Sequence, residues 1–412
     1  MTTALKFSRY AVVTAILAAI IWLVIQHNGE QRRVLIVHSY YKDLAWVSEL
    51  NDGVRTALDK IKRDERRNLN VRTHYMDLRN HPDCNYFKLA TEDVRYTVKE
   101  WEPDVIVIFD DLAQGLVGFN QLRFNDTSDQ GAAKRDTLAE ELAEWLKKDR
   151  CDAPEFDVSY FGLDRPAESL SPDIIFAGVN GTSDRYGYED ASNVTGIYER
   201  KNYRAIVEKL EVLRDAYGGQ VSGIRLLNDT SATASAESRV YRSQSWDPFK
   251  ALTPVQVSSF DAWKAQVRKA NAENVMLLIA NYDGVKHSNG EPVQQHELIS
   301  WTEREAKLPV LGLNTRFVAD GGMMTIAISG TEQGSVAIEM AMDSIRGQPL
   351  RKQQAAKQYT IGLNQSLVRQ RKLELPSVYR AFSDAVGKFI DVIEHLYLEQ
   401  SDLKKNELNE DN

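Results

Sequence analysis

The feature that most constrains this chain is a set of short strands that contain almost no polar residue. Asp104–Phe109 reads DVIVIF, Asp173–Val179 reads DIIFAGV and Val275–Ala280 reads VMLLIA. A strand that is apolar towards both sides must be covered on both sides, as in a parallel sheet held between two layers of helices. Helical patterns alternate with these strands. After the apolar run Val34–His38, residues Val47, Leu50, Val54, Leu58 and Ile61 recur at helical spacing. Val71–Tyr75 predicts a strand, and the stretch from Phe87 to Trp101 predicts a helix. The series then restarts with a strand over Asn193–Ile197. The amphipathic helix Tyr203–Tyr217 follows, stopped by Gly218 and Gly219. Ile224–Leu227, Val275–Ala280 and Leu308–Leu313 predict further strands. Two successive βα series predict an α/β protein with two doubly wound parallel-sheet lobes.

With 412 residues the chain has room for two or three globular units and a core that needs no staples. Its 51 basic and 59 acidic residues give a net charge of −8, which argues against a nucleic-acid partner. The sequence contains no G-x-S-x-G, G-x-G-x-x-G, P-loop or H-E-x-x-H motif. The seven histidines are scattered, and His287 and His296 read as surface residues. No catalytic residue, metal site or cofactor is therefore expected, and the chain is read as a non-enzyme. The two cysteines, Cys84 and Cys151, allow one disulfide or two free thiols.

Three segments stand outside the alternating pattern. Ala11–Ile25 reads AVVTAILAAIIWLVI, uncharged and preceded by Lys6 and Arg9. That is the layout of a secretory signal or an uncleaved signal-anchor, and the absence of a small-x-small cleavage site after it favours the anchor. A signal-anchor helix over residues 1–26 is expected, with the main domain outside the cytoplasm. Arg32 and Arg33 blur the charge asymmetry. Residues 112–171 exceed what one βα crossover needs and read as an insertion. They include the polar run Asn125–Gly131 and a helical part at Leu138–Leu146. Near the C-terminus, Phe382, Val386, Phe389, Ile390, Ile393 and Leu396 make an amphipathic helix, followed by a polar tail.

Candidate binding residues gather where apolar strands end, because helix N-termini and loop amides converge there in open parallel sheets. They are Ser39, Tyr40, Tyr41 and Trp46; Asp110 and Asp111; and Asn180 and Thr182. The second series supplies Asn228, Asp229, Ser231 and Thr233, then Asn281, Tyr282 and Asp283, then Asn314 and Phe317. Amides, hydroxyls, acids and aromatics of this kind suit a small polar ligand with an organic body. Each of the Ser, Thr, Asp and Asn residues also reads as a helix cap.

Several segments resemble a known family. They are VLIVHSYYKDLAWVSELNDGV from Val34, THYMDLRNH from Thr73, EPDVIVIFDDLA from Glu102 and IIFAGVNG from Ile174. NVTGIYER from Asn193, IRLLNDTSATA from Ile224 and the glycine-rich run from Leu308 to Leu350 complete the set. Together they look like the ABC-transporter substrate-binding proteins of the type I periplasmic-binding fold, which include tryptophan-binding proteins and bacterial ligand-sensing ectodomains. The resemblance implies two lobes that close on a small organic ligand such as an amino acid. It divides the chain into 33–181 plus 322–350 and 182–321 plus 351–396, with Gly321 and Gly322 at a crossover and a tail over 397–412. The first ligand wall would be Ser39, Tyr40, Trp46, Asp110, Asp111 and Asn180, with Glu199 near the second crossover. The second would be Asn228, Asp229, Ser231, Asn281 and Asn314. The implied role is uptake with an ABC permease, or sensing with a membrane signalling protein, at the bacterial inner membrane with the main domain in the periplasm. The alternative is an interaction subunit of a membrane signalling complex.

Overall fold

A computed structural model describes residues 31–65, 69–81, 83–123, 125, 128–149 and 172–376, together with Ile16. The expected anchor over residues 1–26 (Ile16 apart), the C-terminal amphipathic helix and the polar tail lie outside the described residues. Among the described residues no helix is long and apolar enough to cross a membrane.

The chain forms two compact units. Unit 1 comprises residues up to Glu199 plus Gly330–Ala355, and unit 2 comprises Arg200–Ser329 plus the residues from Ala356. Unit 1 holds the strands β1 (Arg32–His38), β2 (Leu69–Tyr75), β3 (Val105–Phe109), β4 (Asp173–Val179), β5 (Val194–Tyr198) and β11 (Gln354–Ala355). They form one sheet in the order β11-β5-β4-β3-β1-β2, and every pairing in it is parallel. Unit 2 holds β6 (Gly223–Asn228), β7 (Val255–Gln256), β8 (Val275–Ile279), β9 (Val310–Gly312), β10 (Met324–Ile328) and β12 (Tyr359–Leu363). Their order is β12-β10-β9-β8-β6-β7, with β12 antiparallel to β10 and the other pairings parallel. In each unit the strand order reverses beside the first strand of its series, the doubly wound arrangement.

The apolar strands behave as their composition requires: β3 and β8 are buried along their whole length. Leu35, Val37, Ile106, Ile108, Ile174 and Phe176 enter one core with Phe87 and Val94 of helix Cys84–Trp101. Unit 2 has a core on each sheet face. Ile206, Leu210 and Leu213 pack with Leu226 and Leu278 on one, and Trp263 and Val267 pack with Leu277 and Ile279 on the other. Helix Tyr203–Tyr217 has the span its pattern predicts. Asn202 accepts from the Ala205 amide at its start, and Gly218 ends it with φ +67°.

Several expectations change. The first crossover lies after Glu199, not after Gly181, because β5 pairs with β4 and stays in the first sheet. The return lies at Ser329/Gly330, because β10 pairs with β9 and β12. The last boundary is Ala355/Ala356, because β11 pairs with β5. Gly321 and Gly322 therefore lie within unit 2, in the turn before β10, where Gly321 has φ +98°. The proposed insertion also starts too early. Leu112, Ala113, Leu116, Val117, Phe119 and Leu122 belong to the unit 1 core, and helix Asp129–Asp149 adds Ala139 and Leu142 to it. Cys84 is disulfide-bonded and no described cysteine is free. The expected partner, Cys151, lies outside the described residues.

The most intimate helix contact in unit 1 joins Ala45–Glu65 to Gly330–Ile345. It depends on two glycines. A Cβ on Gly334 would stand 2.1 Å from the Leu50 carbonyl oxygen, and one on Gly53 would stand 2.1 Å from that of Thr331. Backbone atoms are the neighbours in both cases, so the helices themselves would have to part. Replacing Gly334 by alanine gains up to about 1 kcal/mol of helix propensity. Overpacking costs about 1–3 kcal/mol. A net loss is expected, read as a lower denaturation midpoint with an unchanged denaturant slope; an unaltered or raised midpoint would show that the helices yield.

Candidate ligand site at the carboxyl ends of the unit 1 strands

The topology brings five of the sequence-derived residues together in unit 1. Asp110 and Asp111 follow β3, Asn180 follows β4 and Glu199 follows β5. Trp46 stands in the first turn of helix Ala45–Glu65. The Trp46 indole N–H donates to Asp110 Oδ1 at 2.8 Å. The Asn180 side-chain amide donates to Asp111 Oδ2 at 3.4 Å and to Glu199 Oε2 at 3.2 Å, and its backbone N–H donates to Asp111 at 3.3 Å. The Tyr186 hydroxyl donates to Asp111 Oδ1 at 2.6 Å. An exposed amide thus links two carboxylates at the strand ends, and an indole meets a third beside them.

Asp110 is the unusual member. Its φ of +70° and ψ of 155° lie in a region that residues with a Cβ rarely occupy, and strain of this kind collects at functional sites. The residue is 4% exposed, and Oδ2 is buried without a hydrogen-bond partner. Burial raises its carboxyl well above the ordinary range. The Trp46 N–H opposes that, and the negative charges of Glu199 and Asp111 add to it.

Ser39 and Tyr40 lie at the same end of the sheet. Ser39 is fully buried; its Oγ donates to the Phe109 carbonyl at 2.9 Å and accepts from the Ala113 N–H at 2.9 Å. It ties β1 to the chain leaving β3, which commits its hydroxyl to the backbone. Tyr40 is half-buried.

The unit 2 residues are largely committed to their own backbone. Asn228 Oδ1 accepts from the amides of Asn281 (3.0 Å) and Ala280 (3.3 Å). The Asp229 carboxylate accepts from Ser231 N–H at 2.9 Å and Gly284 N–H at 2.8 Å. Ser231 caps helix Ala232–Ser243 by accepting from Ala234. Asn314 donates to the Ala280 carbonyl and accepts from the Phe317 amide. Asn281 is half-buried and joins this lattice through its backbone. For Ser231 the cap reading describes the geometry; Asn228, Asp229 and Asn314 likewise bond to loop and helix-end backbone.

Residue patterns had not singled out Glu49, Tyr186 or Arg316. Glu49 follows Trp46 at i+3 on one helix face, a spacing that offered a signal. Its Oε2 accepts from the Gly330 N–H at 3.3 Å. Tyr186 sits on a short 3-10 turn with no periodic pattern to mark it. In unit 2, Arg316 pairs with Asp283 at 2.8 Å and Asp320 at 3.3 Å, and Tyr282 donates to Asp320 at 2.6 Å.

Glu49 titrates near neutrality. Burial pushes its carboxyl up to about 7, aided by Asp52 and opposed by the Gly330 N–H. The folded chain therefore keeps this proton at pH values where the unfolded chain has lost it. Its contribution to stability is complete below the ordinary glutamate range and is lost as pH rises towards about 7. A thermal melt of Glu49→Gln should consequently fall less between pH 5 and pH 7.5 than the wild-type melt, roughly the window that linkage assigns. Parallel pH profiles for the two proteins would rule this assignment out.

No protein-family model and no curated protein matches the chain. Solved structures do. One is the ligand-free, open form of a substrate-binding protein with adhesive properties from Clostridium difficile, with 12% identity, TM-score 0.56, and 84% of this chain and 96% of that one covered. Another is an ABC domain in complex with L-Trp from Streptococcus pneumonia, with 12% identity, TM-score 0.50, and 85% and 98% covered. Each likeness covers more than four fifths of the chain and so both of its sheets: the chain has the type I periplasmic-binding-protein fold.

Proposed function

We propose that this chain is an extracytoplasmic solute-binding protein that takes a small organic ligand, an amino acid or related metabolite, at the strand ends of unit 1. The observation that carries the reading is Asp110: a strained, buried carboxylate held by a half-buried indole, beside the Asp111–Asn180–Glu199 chain. A fold interior avoids such a residue, whereas a binding site uses it. The fold supports the reading, since one solved neighbour is described as a substrate-binding protein and another holds L-Trp. The same residues offer no nucleophile–base pair, so the reading is binding rather than catalysis.

The biological setting belongs to the same proposal. The uncharged run Ala11–Ile25 is an uncleaved anchor in a bacterial inner membrane, with the main domain in the periplasm. The partner is an ABC permease that accepts the ligand, or a membrane signalling protein that reads its binding. Washed membranes should retain the full-length chain, and release of a shortened form would remove the anchor.

Thermal-shift screening of the purified protein against amino acids, amines, sugars and related metabolites tests the binding reading. A ligand at 100 times its Kd adds about 2.7 kcal/mol to stability. A panel that leaves the melt unmoved would favour a ligand-independent interaction subunit of a membrane signalling complex. With a ligand in hand, Trp46→Ala should weaken binding by about tenfold or more, the loss expected of an aromatic anchor. Unchanged affinity would make Trp46 a packing residue only.

A further inference from the structure

Helices Ala45–Glu65 and Gly330–Ile345 approach most closely through Gly53 and Gly334. About two turns further along each helix, side chains of full size, Ile61 and Met342, stand in place of glycine. There a cavity of about 270 Å³ opens in unit 1. Ala57, Ile61 and Met342 give it a buried apolar wall. Lys60, Glu339, Arg346 and Arg351 bring charged groups to the same space. Asp343 accepts from both guanidiniums, from Arg346 at 3.1 Å, and Glu339 lies 3.9 Å from Arg351. The two arginines are thus engaged by acids of their own helix. Lys60 is not: it is exposed, and among the described residues it has no hydrogen-bond or ion-pair partner. A lone surface ammonium is content with water, so Lys60 by itself marks nothing. The second observation is the cavity beside it, an enclosed apolar surface that an organic body would cover. This place is remote from the strand ends, since Lys60 stands about 21 Å along the helix from Trp46 at 1.5 Å per residue.

We propose that this cavity is a second binding site, for a short aliphatic carboxylate whose head accepts from Lys60 Nζ and whose body lies on Ala57, Ile61 and Met342. The lysine ammonium donates up to three hydrogen bonds, and charge-assisted bonds to a carboxylate are the strong ones. A single negative charge suits the place, because Glu339 and Asp343 stand beside it and would repel a second. A short, narrow body suits it too. The volume lies just below the ~300–1,000 Å³ of pockets that hold drug-sized ligands, and no aromatic ring lines it. An inorganic anion would meet Lys60 and leave the wall uncovered. An alcohol would cover the wall and gain no ion pair, and an amine would meet Lys60 as a like charge. Occupancy here is independent of any ligand at the strand ends and of the solute-binding reading.

The test uses the full-length chain, purified in mild detergent, and ligand-observed NMR titrations corrected by the same titrations of empty micelles. The probes are hexanoate, hexan-1-ol, hexylamine, acetate and inorganic phosphate. Hexanoate should bind saturably and about tenfold or more tighter than hexan-1-ol, the gain expected of a charge-assisted bond. Acetate, which keeps the head and lacks the body, should also bind about tenfold or more weaker. Lys60 is exposed and unpaired, so its substitution leaves the fold intact. Lys60→Gln should bring hexanoate down to the affinity of hexan-1-ol, and Lys60→Arg should keep most of the preference. Lys60→Glu should reverse it, with hexylamine the tighter probe. Hexanoate binding that all three variants leave unchanged overturns the proposal, because the anion then sits elsewhere. Equal binding of hexan-1-ol, or tighter binding of phosphate, overturns the chemical class. Absence of saturable hexanoate binding overturns the site, and a metabolite bound at the strand ends would stand untouched by that result.

Discussion

The contact between helices Ala45–Glu65 and Gly330–Ile345 is the constraint from which unit 1 follows. Two backbones approach closely only where a side chain is missing, and Gly53 and Gly334 supply that absence. The approach fastens a segment from late in the chain to a sheet built almost entirely from the first half. It also carries the Gly330 amide to Glu49, one turn beyond Trp46. The indole that meets Asp110 is thus held on a helix whose position a distant part of the chain fixes.

The strand ends of the two sheets have similar residue types and different economies of hydrogen bonding. In unit 2 the amides and acids satisfy nearby backbone groups: Asn228 joins two segments, Asp229 fastens two loops and Asn314 pins the turn after β9. In unit 1 the Ser39 hydroxyl between β1 and β3 and the Gln333 amide between β4 and β5 do comparable work. The acids beside Ser39 bond to an indole, a phenol and an exposed amide, and one oxygen is left over. Groups already spent on the backbone have little to offer a ligand, which is why the proposed site lies at the strand ends of unit 1.

How much could be read from the residues depended on whether local pattern or distant pairing set each feature. DVIVIF and VMLLIA announced buried parallel strands because they are apolar towards both sides and alternate with helical patterns. Asn202 and Gly218 bounded a helix because capping is local. The crossovers were misplaced because which sheet a strand joins is decided by pairing partners: β5 looked like the start of a second series and is the next strand of the first. Among candidate-site residues, the gathering of Asp110, Trp46 and Asn180 was legible from their places at strand and helix ends. The commitment of Asn228 and Asn314 to backbone was not, since an amide that ties two loops has the same letter as one that meets a ligand. Tyr186 reaches Asp111 from a turn without periodicity, and nothing in the residue order marks it.

The discontinuity of unit 1 sets an order of events during synthesis. Strands β1–β5 leave the ribosome first, but the helix Gly330–Ile345 that covers one of their faces is made only after residues 200–329. At ~5–20 residues per second that interval lasts on the order of ten seconds. Throughout it, the part of that face over β3, β4 and β5 lacks the helix that will cover it. The nascent chain is therefore most exposed to aggregation midway through synthesis, and relief comes from a single late helix.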